Sequence, residues 1–447
     1  MRKRIFGLMA AVCMLGLFTA CSDDDPQPVP EPEPTPTPVV PGENLVEKEY
    51  PTETVEVKIG DETLSGKVAK FTPKEDGTAE LTLEGATVNI SDLYPADTES
   101  EPKSRAEEES ETIGTPGVIP GSPSVTLSLT LEGDASSCSF SGTHETEYCT
   151  FGYNGSVNAE NVNLNISDLK LKNTSLVGTY NIVENVKTNA EGRAAYPVES
   201  VLRFAWESTQ WLFCFSENYG TNRIEEWVYN VFMQDYFTGY GEKTTVADMI
   251  GLKYKSITLT DAGDFILTLG PDYKTDNGNE IKMQYVMKDD NTILLFAEPG
   301  LLVNELMPGT GNDKSCFNTI FEPIVNAMLP MCSQGIPVSY GPALLFARKY
   351  TDSWPAGHAI FHPTTTPGHV SFYLNTETLR PLLSIYSATL RDEASRSRIV
   401  NAFARINNDA YQKSMYGTWT TPFVLRSLPD VIDNTKSVEI GLNFMKE

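Results

Sequence analysis

Residues 257–269 read Ile-Thr-Leu-Thr-Asp-Ala-Gly-Asp-Phe-Ile-Leu-Thr-Leu. Apolar and polar side chains alternate on either side of the Asp-Ala-Gly-Asp sequence, a pattern typical of two half-buried strands joined by a tight turn. Residues 283–296 repeat this arrangement around a turn at 289–291, and residues 438–444 alternate in the same way. The C-terminal part of the chain is therefore predicted to be built on antiparallel β-strands.

Three stretches between these strands carry apolar residues at helical spacing instead. Their members are Phe317, Phe321, Ile324, Val325 and Met328; Leu379, Leu382, Leu383, Tyr386 and Leu390; and Ile399, Phe403, Ile406 and Ala410. Such stripes predict amphipathic helices, and Thr376 is the predicted N-cap of the second. Strands, a helical insertion and a returning strand predict a β-barrel with helices over one end in residues 174–447.

The preceding region, residues 44–173, alternates with period two throughout and has no tryptophan and no methionine. This composition changes sharply near residue 173, which predicts a domain boundary there. Residues 97–112 are strongly acidic and are predicted to form a loop. The predicted fold class is mainly β with a helical insertion: two antiparallel β-barrel or sandwich domains, the second capped by α-helices.

The N-terminus carries the signals for export. Residues 1–20 have a basic start, a short apolar run and small residues before Cys21, which predicts a lipoprotein signal peptide cleaved to leave a lipidated cysteine. The alternative is an ordinary cleaved signal with a bystander cysteine. Residues 21–43 are predicted to form the lipid anchor and an extended proline-rich stalk. Residues 22–25 (Ser-Asp-Asp-Asp) resemble the acidic export signal of Bacteroidetes-type lipoproteins, which implies an outer-membrane lipoprotein exposed at the cell surface. The alternatives are a solvated spacer and an orientation that faces the periplasm.

The charge of the chain limits the classes of partner. Its 447 residues carry 34 basic and 60 acidic side chains, a formal net charge of −26. Such a charge repels phosphate backbones, so nucleic acid is not an expected partner. The expected membrane contact is the N-terminal lipid anchor, since lipidation of a cysteine requires no transmembrane helix.

Two cysteines are a candidate disulfide. A turn centred on residues 143–144 would place Cys138 directly across from Cys149, within reach of an S–S bond in an oxidising compartment. Cys316 and Cys332 flank one helical stripe and are a second, weaker candidate pair. Cys214 lies in an apolar run and is interpreted as a core residue.

The sequence assigns no catalytic, cofactor-binding or metal-binding residue. Three of the four histidines, His358, His362 and His369, lie close together, but they have neither a metal-binding motif nor a neighbouring cysteine pair, which favours ordinary loop histidines. No nucleophile–base arrangement is evident from the spacing of the residues. The chain is therefore predicted not to be an enzyme.

Aromatic residues are concentrated in residues 204–240. The simplest interpretation is the core of the barrel and its lid, and the alternatives are the lining of an apolar pocket or a sugar-stacking surface. The candidate ligand-pocket residues are Trp206, Trp211, Phe213, Trp227, Phe232 and Tyr236.

Several stretches resemble a family of uncharacterised Bacteroidetes lipoproteins of unknown function. They are residues 176–180 (Leu-Val-Gly-Thr-Tyr), 289–296 (Asp-Asp-Asn-Thr-Ile-Leu-Leu-Phe), 335–338 (Gly-Ile-Pro-Val), 372–383 (Phe-Tyr-Leu-Asn-Thr-Glu-Thr-Leu-Arg-Pro-Leu-Leu) and 438–442 (Val-Glu-Ile-Gly-Leu). The resemblance implies calycin-like (lipocalin-related) β-barrel domains. It implies no active-site residue.

These observations favour a lipid-anchored binding protein that holds a small apolar or amphipathic molecule in its β-barrel. The alternatives are a surface glycan-binding or adhesion module and a non-catalytic subunit of a surface complex. Inward aromatic side chains around a void would favour the first hypothesis. Exposed aromatic rings would favour the glycan-binding module, and a filled barrel with an exposed apolar patch would favour the complex.

Overall fold

The computed structural model describes residues 40–74, 76–89, 112–184, 200–216, 219–232, 236–237, 243–272, 278–298, 359–366, 369–405 and 421–447. The predicted signal peptide, Cys21, nearly all of the stalk and of the acidic loop, the helical stripe at 317–328, Cys316, Cys332 and His358 lie outside these residues. Residues 40–447 form one compact unit.

The first twelve strands are β1 (Lys48–Tyr50), β2 (Val55–Ile59), β3 (Glu62–Leu64), β4 (Lys67–Pro73), β5 (Thr78–Gly85), β6 (Thr87–Asn89), β7 (Thr112–Gly114), β8 (Ser124–Thr130), β9 (Glu132–Gly133), β10 (Ser137–Glu145), β11 (Cys149–Asn158) and β12 (Val162–Leu171). The later strands are β13 (Gly178–Ile182), β14 (Leu202–Ser208), β15 (Leu212–Ser216), β16 (Tyr219–Asn222), β17 (Tyr236–Phe237), β18 (Lys243–Thr244), β19 (Tyr254–Leu259), β20 (Asp264–Leu269), β21 (Glu280–Asp289), β22 (Thr292–Phe296), β23 (Ala359–Thr366), β24 (His369–Leu374) and β25 (Thr435–Lys446). The described α-helices are α1 (Ile224–Phe232), α2 (Val246–Lys253), α3 (Thr376–Arg391), α4 (Glu393–Arg405) and α5 (Thr421–Asp433), and Thr52–Thr54 form a 3-10 turn. None of the described helices combines the length and hydropathy needed to cross a bilayer.

The first strands form a β-sandwich. A four-stranded sheet in the order β1-β4-β5-β8 packs on a six-stranded sheet in the order β3-β2-β12-β11-β10-β9. Alternate residues of both sheets face a common core, as the period-two pattern predicts. Phe71, Leu81 and Leu127 of the first sheet and Val57 and Ile166 of the second are fully buried in it.

One pairing in the sandwich differs from the antiparallel prediction. Strand β2 lies parallel to β12, with Val57 opposite Leu164. The two strands are more than 100 residues apart in sequence, so no hairpin turn fixes their relative direction. Local sequence patterns contain no signal for such a pair.

Two glycines in the β10–β11 hairpin make room for aromatic rings. Gly155 lies opposite Phe140, and Gly142 lies opposite Tyr153. A Cβ atom on Gly155 would lie 2.7 Å from the Phe140 ring, and one on Gly142 would lie 2.6 Å from the Tyr153 hydroxyl. Tyr153 also donates to Ser128 O of the other sheet at 2.8 Å. Each ring therefore packs over the glycine opposite it on the neighbouring strand and contributes to the sandwich core.

The same hairpin shows that the predicted Cys138–Cys149 disulfide is wrong. The turn lies at residues 146–149, because Thr146 N donates to Cys149 O and His144 still packs on Phe151 at a ring distance of 5.6 Å. Cys138 is consequently opposite Val157, and Cys149 is opposite Leu171. Eight residues separate Val157 from Cys149 along β11, about 26 Å of extended chain. Both cysteines are buried free thiols.

The C-terminal strands form a closed barrel. Among the described residues, eight antiparallel strands follow each other in the order β13-β19-β20-β21-β22-β23-β24-β25, and β25 pairs back with β13. The predicted hairpins at 257–269 and 283–296 are confirmed as β19–β20 and β21–β22. The last sandwich strand ends at Leu171 and the first barrel strand begins at Gly178. The predicted domain boundary falls between them and stays a prediction.

Strand β25 has two partners on one edge. Its residues 435–442 pair with β14, and its residues 444–446 pair with β13, while β24 occupies its other edge. The sheet therefore forks at Asn443. One branch closes the barrel, and the other carries β14 away from it.

Asn443 makes hydrogen bonds to all the segments that meet at this fork. Its backbone N–H donates to Val201 O at 2.9 Å, and its carbonyl accepts from Val183 N at 3.1 Å. Its side-chain Nδ2 donates to Ser200 O at 2.8 Å and to Leu202 O at 3.0 Å. Its Oδ1 accepts from the Ser371 hydroxyl at 2.6 Å. One asparagine thus fixes the ends of β13 and β14 relative to β24.

The helices pack against the diverging branch, which confirms the prediction of a barrel with helices. Their apolar faces form a cluster with Phe204 and Trp206 of β14 and Val438 of β25. Ile182, Tyr254 and Leu442 pack against both this cluster and the barrel core. The N-cap of α3 is Asn375 rather than the predicted Thr376, because the Asn375 Oδ1 accepts from Thr378 N.

The sandwich is joined to the barrel through residues 116–120. Val118 and Ile119 are fully buried in a core that the two parts share. Lys67 of β4, whose side chain is 3% exposed, donates to Pro116 O at 2.7 Å and lies 3.6 Å from Glu298 of the barrel part. Gln284 of β21 donates to Gly117 O at 3.3 Å. These contacts fix the sandwich to the barrel wall.

We expect Asn443→Leu to lower the free energy of unfolding by about 2–4 kcal/mol, because it removes the partner of the Ser200 carbonyl and of the Ser371 hydroxyl and leaves the Leu202 carbonyl with only the Tyr229 hydroxyl at 3.3 Å. Urea denaturation followed by circular dichroism measures the loss. In the control Asn181→Leu, the exposed amide gives up a single contact to Glu447, so the change should stay under about 0.5 kcal/mol. Equal losses in the two variants would contradict the role of Asn443 at the fork.

We expect Cys149 to resist alkylation in the folded protein at pH 8 and to react after denaturation. Burial raises the pKa of its thiol to about 11, so the reactive thiolate is scarce in the folded state. Peptide mapping by mass spectrometry after alkylation, without a reducing agent, measures this. Recovery of a peptide cross-linked through Cys138 and Cys149 would contradict the hairpin register.

Candidate functional site

The outward face of the six-stranded sheet carries polar side chains across its width. Ser139 and Ser141 on β10, Asn154 and Ser156 on β11, and Asn163 and Asn165 on β12 all point away from the sandwich core, since each alternates with a buried or inward residue. The same alternation that builds the core therefore builds this face. We name these six side chains the polar face.

Strand register arranges the polar face in two rows. In the first row, Ser139 is opposite Ser156, Ser156 is opposite Asn163, and Asn163 is opposite Glu56 of β2. In the second row, the order is Ser141, Asn154, Asn165 and Lys58. Glu132 of β9 extends the first row beyond Ser139. Two residues along a strand separate the rows, a distance of about 6.6 Å.

A cleft of about 510 Å³ lies between the rows. Its walls are the two rows with Glu132, Glu56 and Lys58, and its remaining lining residues are Phe140, Gly155 and Leu164. These three residues lie opposite one another on β10, β11 and β12, midway between the two rows. The side chains of Phe140 and Leu164 point to the other side of the sheet and are buried in the core. The floor of the cleft is therefore largely backbone. The Phe140 ring, packed across Gly155, supports that floor from below.

Half of the polar face has no internal hydrogen-bond partner. Asn163 Nδ2 donates weakly to Ser156 Oγ at 3.5 Å, and Ser139 Oγ donates to Glu132 O at 3.3 Å. The side chains of Ser141, Asn154 and Asn165 make no hydrogen bond to another described residue. Each amide offers two donors and a carbonyl acceptor, and each hydroxyl can donate and accept. The cleft thus presents solvent-accessible donors and acceptors that no other described residue occupies, on a rigid sheet.

Charged groups lie only at the two ends of the cleft. Glu132 stands at one end. At the other end, the Lys58 ammonium is 2.6 Å from the Glu56 carboxylate. The six central positions are neutral amides and hydroxyls. This arrangement suits a ligand rich in hydroxyl groups rather than an ion.

The sequence-predicted pocket residues lie elsewhere and do not line this cleft. Trp206 and Trp227 are buried in the helical cluster, and the Trp206 Nε1 donates to Thr435 Oγ1 at 2.7 Å. Trp211 is 48% exposed, with the Arg223 guanidinium 5.9 Å from its ring centre. Phe213 is half-buried, and the side chains of Phe232 and Tyr236 lie outside the described part of the structure. The six residues therefore do not form one site among the residues described.

Large side chains occupy the inside of the barrel. Tyr180, Tyr285, Phe372 and Phe444 are at most 5% exposed. The Phe372 ring makes T-shaped contacts with Tyr180 at 5.8 Å and with Phe444 at 5.7 Å. Since Tyr180 and Phe372 come from strands on opposite sides of β25, their contact places both rings on the inner face of the barrel. The described residues therefore fill the space that an apolar ligand would need.

The histidines and a second cleft offer weaker candidates. His362 Nδ1 donates to Asn291 O at 2.9 Å, and His369 lies on the neighbouring strand opposite Thr366. Within the described ranges, no group of three histidine, cysteine or acidic side chains could hold a metal ion. A cleft of about 200 Å³ lies between α3 and α5, but its Asp433 is already bound by Arg391 and Ser387.

Sequence reasoning did not select the residues of the polar face. The signal was present in the alternation of 137–167, whose polar positions are mainly serine and asparagine. Polar residues at alternate strand positions usually indicate only solvent exposure. The parallel β2–β12 pair, which extends the rows to Glu56 and Lys58, had no signal in the sequence.

We expect Phe372→Ala to lower the free energy of unfolding by about 3–5 kcal/mol, because the ring fills the barrel interior and its removal leaves a cavity. The control Trp211→Ala removes an exposed ring stacked on Arg223 and should cost about 1 kcal/mol or less. Urea denaturation measures both. A loss below about 1 kcal/mol for Phe372→Ala would indicate an open barrel instead.

The chain matches no protein-family model, no curated protein and no solved structure.

Proposed function

We propose that the chain is an exported, lipid-anchored protein that binds a carbohydrate through its polar face. The observation that carries the proposal is the cleft itself: Ser141, Asn154 and Asn165 stand in it with unpaired hydrogen-bonding groups on a rigid β-sheet. Sugar hydroxyls both donate and accept, as amides and serine hydroxyls do. Groups held in place by the sheet lose little freedom when a ligand binds.

The location of the protein is argued from its sequence. Residues 1–20 support export, and Cys21 with the proline-rich stalk supports a lipid anchor in the outer membrane. The acidic residues after Cys21 support the cell-surface side, with the periplasmic side as the alternative. An anchored protein that binds glycans would retain them at the membrane. The excess of acidic residues disfavours nucleic acid as its ligand.

The composition of the cleft supports binding over catalysis. Its lining includes serines, but the lining residues include no histidine that could act as their base. Its acidic residues, Glu56 and Glu132, lie at opposite ends of a five-strand span. Such a separation of about 19 Å is far larger than the spacing of a glycosidase carboxylate pair. The proposal therefore assigns no catalytic residue, cofactor or metal.

The hypothesis of an apolar molecule inside the barrel has less support. It requires space between the inner side chains, and Tyr180, Tyr285, Phe372 and Phe444 occupy that space among the residues described. A glycan surface made of stacked aromatic rings has only Trp211 as an exposed tryptophan in the described part of the chain. The polar face supports a hydrogen-bonding form of glycan recognition instead.

We expect the full-length protein in detergent micelles to bind glycans on an array of immobilised neutral and acidic oligosaccharides. The double variant Asn154→Ala/Asn165→Ala should reduce that binding at least tenfold, because it removes the unpaired amides from the second row. The loss corresponds to about 1.4 kcal/mol or more.

The control is Thr82→Ala/Thr126→Ala, which removes an exposed threonine pair from the outer face of the other sheet. It should leave glycan binding unchanged. The proposal would be contradicted if the protein bound no glycan on the array, or if the loss of both asparagines left glycan binding unchanged. Urea denaturation of both double variants establishes that any change in binding does not come from unfolding.

A further inference from the structure

The cleft is an open groove that runs across neighbouring strands rather than a closed pocket. Strands β10, β11 and β12 each contribute one polar side chain to either row, with a backbone floor between them. The same arrangement is thus repeated from strand to strand, about every 4.8 Å. A ligand that satisfies all three strands must itself repeat at about that interval.

A linear sugar chain laid across the strands has this form. A ring lying on the floor would present hydroxyl groups to the row on each side, since the rows are about 6.6 Å apart. The next ring would meet the next strand. From β9 to β2 the cleft lining spans five strands, or four intervals, about 19 Å in all.

The charges restrict the chemistry of that chain. The middle of the cleft is neutral, and Glu132 and Glu56 would repel a uronate or sulfate group at its ends. The one lysine of the cleft, Lys58, is already paired with Glu56. The net charge of −26 adds a further unfavourable field for anions.

Resting on the proposed carbohydrate-binding function, we infer that the polar face binds an internal segment of a neutral, linear glycan, with about one sugar ring per interval between neighbouring strands and about four rings in contact. Because each central strand offers the same kind of pair, recognition depends on the repeat and requires no chain end.

The test is isothermal titration calorimetry of the full-length protein with neutral oligosaccharides of increasing length. The probes are the malto-, cello-, xylo- and manno-oligosaccharide series, from monosaccharide to hexasaccharide. For the series that binds, affinity should rise at least tenfold from disaccharide to tetrasaccharide and then level off. Reduction of the terminal sugar to the alditol in the hexasaccharide should leave its affinity unchanged, and added salt should have little effect.

Variants at the end and at the centre of the cleft separate the contributions of the strands. Lys58→Ala on β2 should weaken binding of the tetrasaccharide but leave the disaccharide unchanged, because only a long chain reaches that strand. Asn154→Ala at the centre should weaken both. The Thr82→Ala/Thr126→Ala variant again serves as the control.

The outcomes distinguish this inference from the proposed function. A monosaccharide that binds as tightly as the tetrasaccharide, a requirement for a free chain end, or salt-sensitive binding of acidic glycans would overturn the inference and leave carbohydrate binding intact. Binding of a protein at the polar face, with no glycan bound, would overturn both.

Discussion

Asn443 is the residue on which the C-terminal architecture depends. Every polar group of this residue is hydrogen-bonded, and its partners belong to segments that lie far apart in the sequence. The barrel closes on one side of the fork, and on the other side β14 contributes Phe204 and Trp206 to an apolar cluster with the five described helices. A polar side chain at a buried junction thus determines where the apolar surfaces meet.

The contact between sandwich and barrel depends on another buried polar group. Burial lowers the pKa of Lys67, yet its ammonium retains two partners, the Pro116 carbonyl and the Glu298 carboxylate. Ion pairs of this kind seldom add much stability, but they cost a great deal when one partner is lost. Lys67 therefore specifies how residues 116–120 lie against the barrel wall. The apolar contacts of Val118 and Ile119 supply the stability.

The sequence predicted those features that follow from local periodicity and missed those that follow from long-range pairing. The hairpins at 257–269 and 283–296 and the helix that carries the apolar stripe from Leu379 to Leu390 were evident from spacing alone, although the N-cap of that helix was placed one residue too late. The β2–β12 pair, the fork at Asn443 and the location of the β10–β11 turn depend on packing between distant residues, and the turn was placed wrongly for that reason. Of the aromatic residues selected as a pocket, Trp206 and Trp227 proved to be core, since a concentration of rings indicates burial before it indicates a ligand. The polar face was visible only as ordinary exposed strand residues.

The closure of the barrel by β25 also determines when the molecule can fold. Tyr180 of the first barrel strand pairs with Lys446, 266 residues later, so the barrel cannot close until Lys446 has emerged. At about 5–20 residues per second this interval is about 13–53 s. During this interval the sandwich strands are complete, whereas β14 and the edge of β13 that does not pair with β19 lack their β25 partner and are exposed to pairing with other chains. The yield of folded protein should therefore depend on chaperones that cover these two edges until the last strand arrives.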